Sequence, residues 1–173
     1  IDEAFLDVTC DKKGIGSATV IAKMIKEQIK ERTGLTASAG ISVNKFLAKI
    51  ASDMDKPDGL YLIPPEKAAG FIEKLPIEKF FGIGRVTAAK MHKLGIHSGA
   101  DLKNWDLLSL IRNFGKVGRF YHDIARGIDE RPVEVNSERK SIGTELTYEK
   151  DLTTQFEIIA ELYKVEKELM ERI

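Results

Sequence analysis

Residues 35–63, LTASAGISVNKFLAKIASDMDKPDGLYLI, decide the fold of this chain. The first eight are small, β-tolerant and alternating, which predicts a strand over 35–42. Residues 44–54 return to a helical pattern, with Phe46, Leu47 and Ile50 on one side. Turn composition follows over 55–59. Residues 61–63 then read as a second strand, closed by Pro64 and Pro65, a pair that ends ladder structure and lets a helix begin. Upstream, IDEAFLDVT alternates as a further strand. Between them Ser17 can cap a helix with Ile21, Met24, Ile25 and Ile29 on one face and Lys23, Lys26 and Lys30 turned away, ending near Thr33 and Gly34. Strand, helix, strand, helix, strand makes an α/β layer.

Downstream of Pro65 the pattern changes to short helices punctuated by glycine, expected over 66–75, 85–94, 98–104, 106–114 and 117–126. These form a separate, small helical domain. Residues 127–140, GIDERPVEVNSERK, lack apolar periodicity and have the composition of a linker. A strand-like SIGTELTY and an amphipathic helix from Thr154, with Phe156, Ile159, Leu162, Tyr163 and Leu169 along its stripe, open a third unit, and the sequence stops inside that helix without a cap. The fold class expected is α+β.

With 173 residues, 43% hydrophobic and 31% charged, the chain has the composition of a globular protein of one or two domains. No stretch reaches about 18 apolar residues and no signal-peptide pattern is present, so a cytoplasmic location without membrane contact is expected. Cys10 has no partner for a disulfide and no CxxC or His neighbour for zinc, and reads as a small buried or strand-edge residue. The zero net charge conceals a gradient. Residues 82–127 carry eight bases against three acids, whereas from Tyr148 onward four bases face seven acids. The middle of the chain is therefore where a polyanion would be met.

Several motifs carry chemistry. Asp2 and Glu3 open a predicted strand without an initiator Met before them, as in a chain beginning inside an active site, and paired carboxylates suit a hard divalent cation. Residues 81–96, FGIGRVTAAKMHKLGI, resemble a helix-hairpin-helix, in which a short helix over 76–80 turns through Gly82, Ile83 and Gly84 into a helix starting at Arg85. Glycines there permit close backbone approach, and the N–H groups at the helix start face a phosphate. Ile83, Val86, Met91 and Leu94 are expected to pack the hairpin. A looser echo, FGKVGRFYHDIARG, places Gly115 and Gly118 around Lys116 and ahead of Arg119. It reads either as a second phosphate contact or as a tight interhelical turn. Lys45 and Lys49 on the predicted helix and Lys56 in the following turn are point charges suited to a triphosphate or simply to solvent. His92, His97 and His122 show no metal-ligand spacing and read as surface residues.

IDEAFLDVT, TASAGISVNKFLAKIASDMDKPDG, the FGIG hairpin, GIDERPVE and RKSIGTE occur in the order found in Y-family translesion DNA polymerases, and the chain resembles the bacterial DinB, or DNA polymerase IV, branch. The resemblance implies a palm segment over 1–63, a thumb with helix-hairpin-helix over 64–130, a linker over 131–139 and the start of a little finger over 140–173. It implies that Asp2 and Glu3 are catalytic, Asp2 binding two Mg²⁺ ions and Glu3 lying beside the primer 3′ hydroxyl at the activating metal. Lys56 would contact the triphosphate, with Lys49 on the same helix. Gly82, Ile83, Gly84, Arg85, Gly115, Lys116, Gly118 and Arg119 would face DNA. The partners implied are primer-template DNA, deoxynucleoside triphosphates and, through sequence beyond Ile173, a sliding clamp. The family's first metal-binding Asp, its ribonucleotide-excluding aromatic residue and its fingers would lie upstream of Ile1. The chain by itself is therefore expected to bind DNA weakly without polymerising. The rival reading is a non-catalytic helix-hairpin-helix DNA-binding repair module, which has no need of an acidic strand followed by a lysine-bearing KIASDMDKP turn.

Overall fold

A computed structural model describes residues 3–135 and 141–172. Two compact units divide the chain, residues 1–133 and 134–173. The first begins with helix α1 (Ala18–Thr33), capped by the Ser17 hydroxyl, which accepts from Val20 N at 3.4 Å, and closed by Gly34 at φ 71°. Strand β1 (Ala39–Ile41) pairs in parallel with β2 (Leu60–Leu62), Gly40 opposite Tyr61, and helix α2 (Lys45–Met54) makes the crossover that a parallel pair requires. Small residues at 37–40 have a reason. A Cβ on Gly40 would run into the backbone of Ala48 and Ser52, so α2 can lie this close to β1 only over glycine.

The helices continue with α3 (Pro65–Lys74), a single 3₁₀ turn at Ile77–Lys79, α4 (Arg85–Lys93), α5 (Gly99–Lys103), α6 (Leu107–Phe114) and α7 (Val117–Ile124). They share one core with the α/β layer. Phe46, Leu47, Ile50 and Ala51 of α2 and Ile63 beyond β2 are buried in the same cluster as Ile72, Ile77, Phe80, Met91, Leu110 and Ile124. The Phe46 and Phe80 rings, one from each side, lie 5.5 Å apart. The second unit contains α8 (Gln155–Arg172), whose start is fixed by a reciprocal pair in which Glu157 N donates to Thr154 Oγ1 and Thr154 N donates to the Glu157 carboxylate. Phe156, Leu162 and Tyr163 on its stripe are exposed.

The α+β class and the βαβ unit agree with the expectation, but several local readings change. Residues 3–8 form no ladder, nor do 141–148, and β1 is confined to the last part of the expected 35–42 segment. Alternation is necessary for a strand but not sufficient, because the backbone must also find a partner, and among the described residues these segments have none. Cys10, without that strand, is exposed at a bend. Lys26 does not face solvent. Its Nζ donates to the carbonyls of Asp58 and Gly59 at 2.5 and 2.9 Å and pairs with the Asp58 carboxylate at 3.0 Å, the stem lying along the layer while the ammonium closes the turn before β2. Val86 is 86% exposed and packs nothing, the inward positions of α4 being Ala88 and Met91.

Candidate functional site

Helix α2 begins at the Asn44 cap, whose Oδ1 accepts from Leu47 N at 3.0 Å, and buries Phe46, Leu47, Ile50 and Ala51. With that face fixed, Lys45, Lys49 and Asp53 line its outer edge, one turn apart. The structure brings Lys49 and Glu3 together across 46 residues, Nζ to Oε1 2.5 Å. Lys45 Nζ stands 5.0 Å above the Phe5 ring, a second anchor for the opening segment. Asp53 then joins the two lysines, 3.5 Å from Lys49 Nζ and 2.6 Å from Lys56 Nζ. The result is an alternating row of charge, Glu3, Lys49, Asp53, Lys56.

The row's protonation follows from its geometry. The hydrogen bond to Glu3 outweighs partial burial and raises the Lys49 ammonium above its ordinary value. Partial burial pushes the Asp53 carboxyl up, but the Lys56 hydrogen bond and the Lys49 charge together hold it below the usual carboxylate range. Lys49 and Asp53 are thus both charged at neutral pH, with Lys49 mostly buried and Glu3 open to solvent. Asp2 lies outside the described residues. Among the described residues no cluster of three or more His, Cys, Asp or Glu forms a metal cage, and the carboxylates at this edge are those of Glu3 and Asp53.

The helical layer offers a different surface. Gly82 is at φ 91° and its Cα faces the Phe120 ring, 3.2 Å from where a Cβ would stand. Ile83 is buried, anchoring the turn. Gly84, the N-cap of α4, is at φ −78° with no protein atom near a Cβ position, so neither dihedral nor packing demands a glycine there. No side chain caps α4, and among the described residues the Arg85, Val86 and Thr87 amides have no hydrogen-bond acceptor. Gly115 closes α6 at φ 67°, Lys116 starts α7, and Arg119 is exposed on it. Gly118 has a packing explanation, since a Cβ would strike the backbone of Leu110 and Ile111 where α6 and α7 touch. Of the eight bases over 82–127, three are engaged within the unit: Lys90 on the Asn113 carbonyl, Lys103 on Glu73 at 2.7 Å, and Arg126 on the carbonyls of His122 and Lys103 at 2.9 Å each. Arg85, Lys93, Arg112, Lys116 and Arg119 pair with no acid among the described residues. The three histidines are exposed or half-buried, with His92 and His97 stacked at 5.0 Å.

Sequence reasoning singled out Lys49, Lys56 and Glu3 but missed Asp53, which the i,i+3 and i,i+4 spacing to the two lysines could have flagged. Asp129 and Arg131 stand in GIDERPVE, one of the ordered motifs, but received no role beyond a linker composition. Nothing in periodicity marks them.

Residues 1–53 match the family described as impB/mucB/samB, and residues 65–96 the IMS family HHH motif. The DNA polymerase IV of Bacteroides fragilis is 58% identical over 173 residues, all of this chain and 48% of that protein. That of Alkalilimnicola ehrlichii is 54% identical over 92% of this chain and 45% of its own length, and that of Listeria monocytogenes serotype 4b is 46% identical over all of this chain and 49% of its own. A solved Y-family DNA polymerase chimera superposes with a TM-score of 0.79 at 32% identity, covering 90% of this chain and 45% of the chimera. DinB from Sulfolobus solfataricus gives 0.63 at 33% identity, over 67% of this chain and 34% of that one. The chain spans about half the length of the curated relatives it matches.

Proposed function

The chain belongs to the Y-family, DinB type, and from that premise we propose that it is the part of a translesion DNA polymerase that joins palm to thumb and carries half of the nucleotidyl-transfer site. The observation that carries this reading is the Lys49 to Glu3 contact at 2.5 Å, which adds Glu3 to the Lys49, Asp53 and Lys56 row along α2 and the turn after it. A solvent-open carboxylate beside lysines, with no sulfur or imidazole cluster among the described residues, is a donor set for a hard cation that takes further oxygens from phosphate. Asp2 and Glu3 would supply carboxylate oxygens to Mg²⁺, two ions in this reading. When bound, the metal ions would favour deprotonation of the primer hydroxyl and neutralise charge on the pyrophosphate. The chain's own residues do the rest. Lys49 holds the Glu3 carboxylate in place, and Lys56 exchanges Asp53 for a phosphate oxygen of the incoming deoxynucleotide.

The proposed palm, thumb, linker and little-finger segments are 1–63, 64–130, 131–139 and 140–173. In the thumb, the open amides after Gly84, with Arg85, Lys116 and Arg119, hold the duplex through phosphates, without reading bases. The segment alone binds duplex weakly and does not extend a primer, because it spans about half of the polymerases it matches. A cytoplasmic site of action and a sliding-clamp contact made by other parts of the polymerase complete the reading. The test is fluorescence anisotropy of the 173-residue chain with two unrelated duplexes across a salt series. Equal affinities around 10⁻⁴ to 10⁻⁶ M with a log–log slope of about −2 to −4 are expected for two to four phosphates. A flat salt dependence, or strong preference for one duplex, would overturn the thumb assignment.

A further inference from the structure

Three consecutive residues at the start of α2 grip the segment that follows α7. Asn44 Nδ2 donates to the Gly127 carbonyl at 2.8 Å, Lys45 Nζ to the Pro132 carbonyl at 3.2 Å, and Phe46 N to Asp129 Oδ2 at 2.9 Å. Asp129 therefore satisfies an orphan amide of a helix 83 residues away in the chain, at the end where a negative charge is favoured. Its side chain is only 2% exposed. A carboxylate so buried needs a partner, and Arg131 supplies a fork, Nε to Oδ1 at 2.6 Å and Nη2 to Oδ2 at 2.9 Å. The same guanidinium lies 4.9 Å from the centre of the Phe120 ring, and that ring is the one facing Gly82 in the hairpin. The contacts run without a break from the hairpin through Phe120, Arg131 and Asp129 to α2, and along α2 to Lys49 and Glu3.

We infer that Asp129 and Arg131 are positioning residues, a buckle that locks the helical layer to the first turn of α2 so that the phosphate-facing hairpins and the carboxylate–lysine row move as one rigid frame. The functional half of this inference rests on the reading above. Hydrophobic packing is non-directional and would tolerate a small rotation of one layer on the other. A bidentate pair whose carboxylate is buried and also caps a helix fixes the angle. The frame would hold the duplex terminus in register with the reacting edge, where small misplacements are costly.

The test places spin labels at two exposed positions, Met54→Cys on α2 and Val86→Cys on α4, in a Cys10→Ser background, and reads the distance distribution by pulsed EPR. One narrow distribution is expected, which Asp129→Ala and Arg131→Met broaden or split while circular dichroism stays unchanged. Exchange of the Phe46 amide should quicken about tenfold in Asp129→Ala. If Asp129→Ala fails to fold, Arg131→Met, which keeps an apolar stem over Phe120, decides alone. A distribution that stays narrow in the folded variants overturns the buckle, leaving the pair a local stabiliser. In the longer polymerase, Arg131→Met should lower kcat and leave the nucleotide KM unchanged, because the nucleotide lysines belong to α2 itself and the turn after it. An unmoved kcat beside a broadened distribution overturns the positioning role. Duplex binding that is indifferent to salt, beside a broadened distribution, would instead remove the functional reading and leave the frame standing.

Discussion

In the proposed reading the edge of α2 and the start of α4 both meet phosphate, yet they are built in opposite ways. At α2 the groups are side chains from distant parts of the chain, Glu3 with Lys49, and every charge is already paired. At α4 the groups are backbone amides from one short stretch, left without acceptors, with a glycine that the protein itself does not need. A paired row must be opened by its ligand and can therefore be selective. Open amides accept any phosphate of the right geometry. The contrast suits the proposed division between a nucleotide site and a surface that holds DNA of any sequence.

The sharpest way to break this contrast is at Glu3. In a full-length polymerase of the proposed kind, Glu3→Ala should lower turnover by about 10² to 10³ or more, as loss of a preorganised electrostatic group does, while duplex affinity barely moves. Single-turnover primer extension with parallel anisotropy measures both. Comparable losses in the two would merge the regions into one binding surface. Lys56→Ala should come next, weakening nucleotide affinity by about one to two decades with little effect on DNA, since a charge-assisted contact to the triphosphate is lost. Steady-state titration of the nucleotide checks it, and an unchanged dependence would remove Lys56 from the site.

Gly84 sharpens the comparison from the other side. Because no protein atom approaches its Cβ position and its φ is ordinary, Gly84→Ala should leave the thermal midpoint within the shift expected for about 0.5 kcal/mol. Gly84→Asp should fold equally well and bind duplex about tenfold more weakly at low salt, the gap narrowing as salt screens the added charge. Full duplex affinity in Gly84→Asp would sink the phosphate role of the hairpin.

The smallest effect expected is a pH dependence at the buckle. The Arg131 fork, opposed by burial, holds the Asp129 carboxyl below its ordinary value near 3.8. Its contribution to stability is therefore fully present above about pH 4 and is lost only as the pH falls through the depressed folded value. Denaturant unfolding from pH 7 downward should show a constant difference between the parent and Asp129→Asn to about pH 4, narrowing below it. A difference that already declines between pH 7 and 5 would mean that another group is responsible.

Much of this molecule could be read from sequence because its signals are local. The Ser17 cap and Gly34 closure, the apolar face of α2, the glycine at 82 and the prolines after β2 each report a backbone requirement within a few residues. The βαβ unit, the run of short helices and the basic middle of the chain followed from them, and five ordered motifs pointed to the family. Tertiary structure decided what depends on partners. Alternation at 3–8 and 141–148 could not become strand among the described residues without a neighbouring edge. Lys26 turned inward because two carbonyls of a turn 32 and 33 residues away were waiting for a donor. Gly118 proved to be a contact between helices, and Asp129, in a stretch with the composition of a linker, became a buried cap for α2. Periodicity and composition record how a residue relates to its near neighbours. Burial of a charge is set by which distant donors reach it, and the chain must fold before they meet.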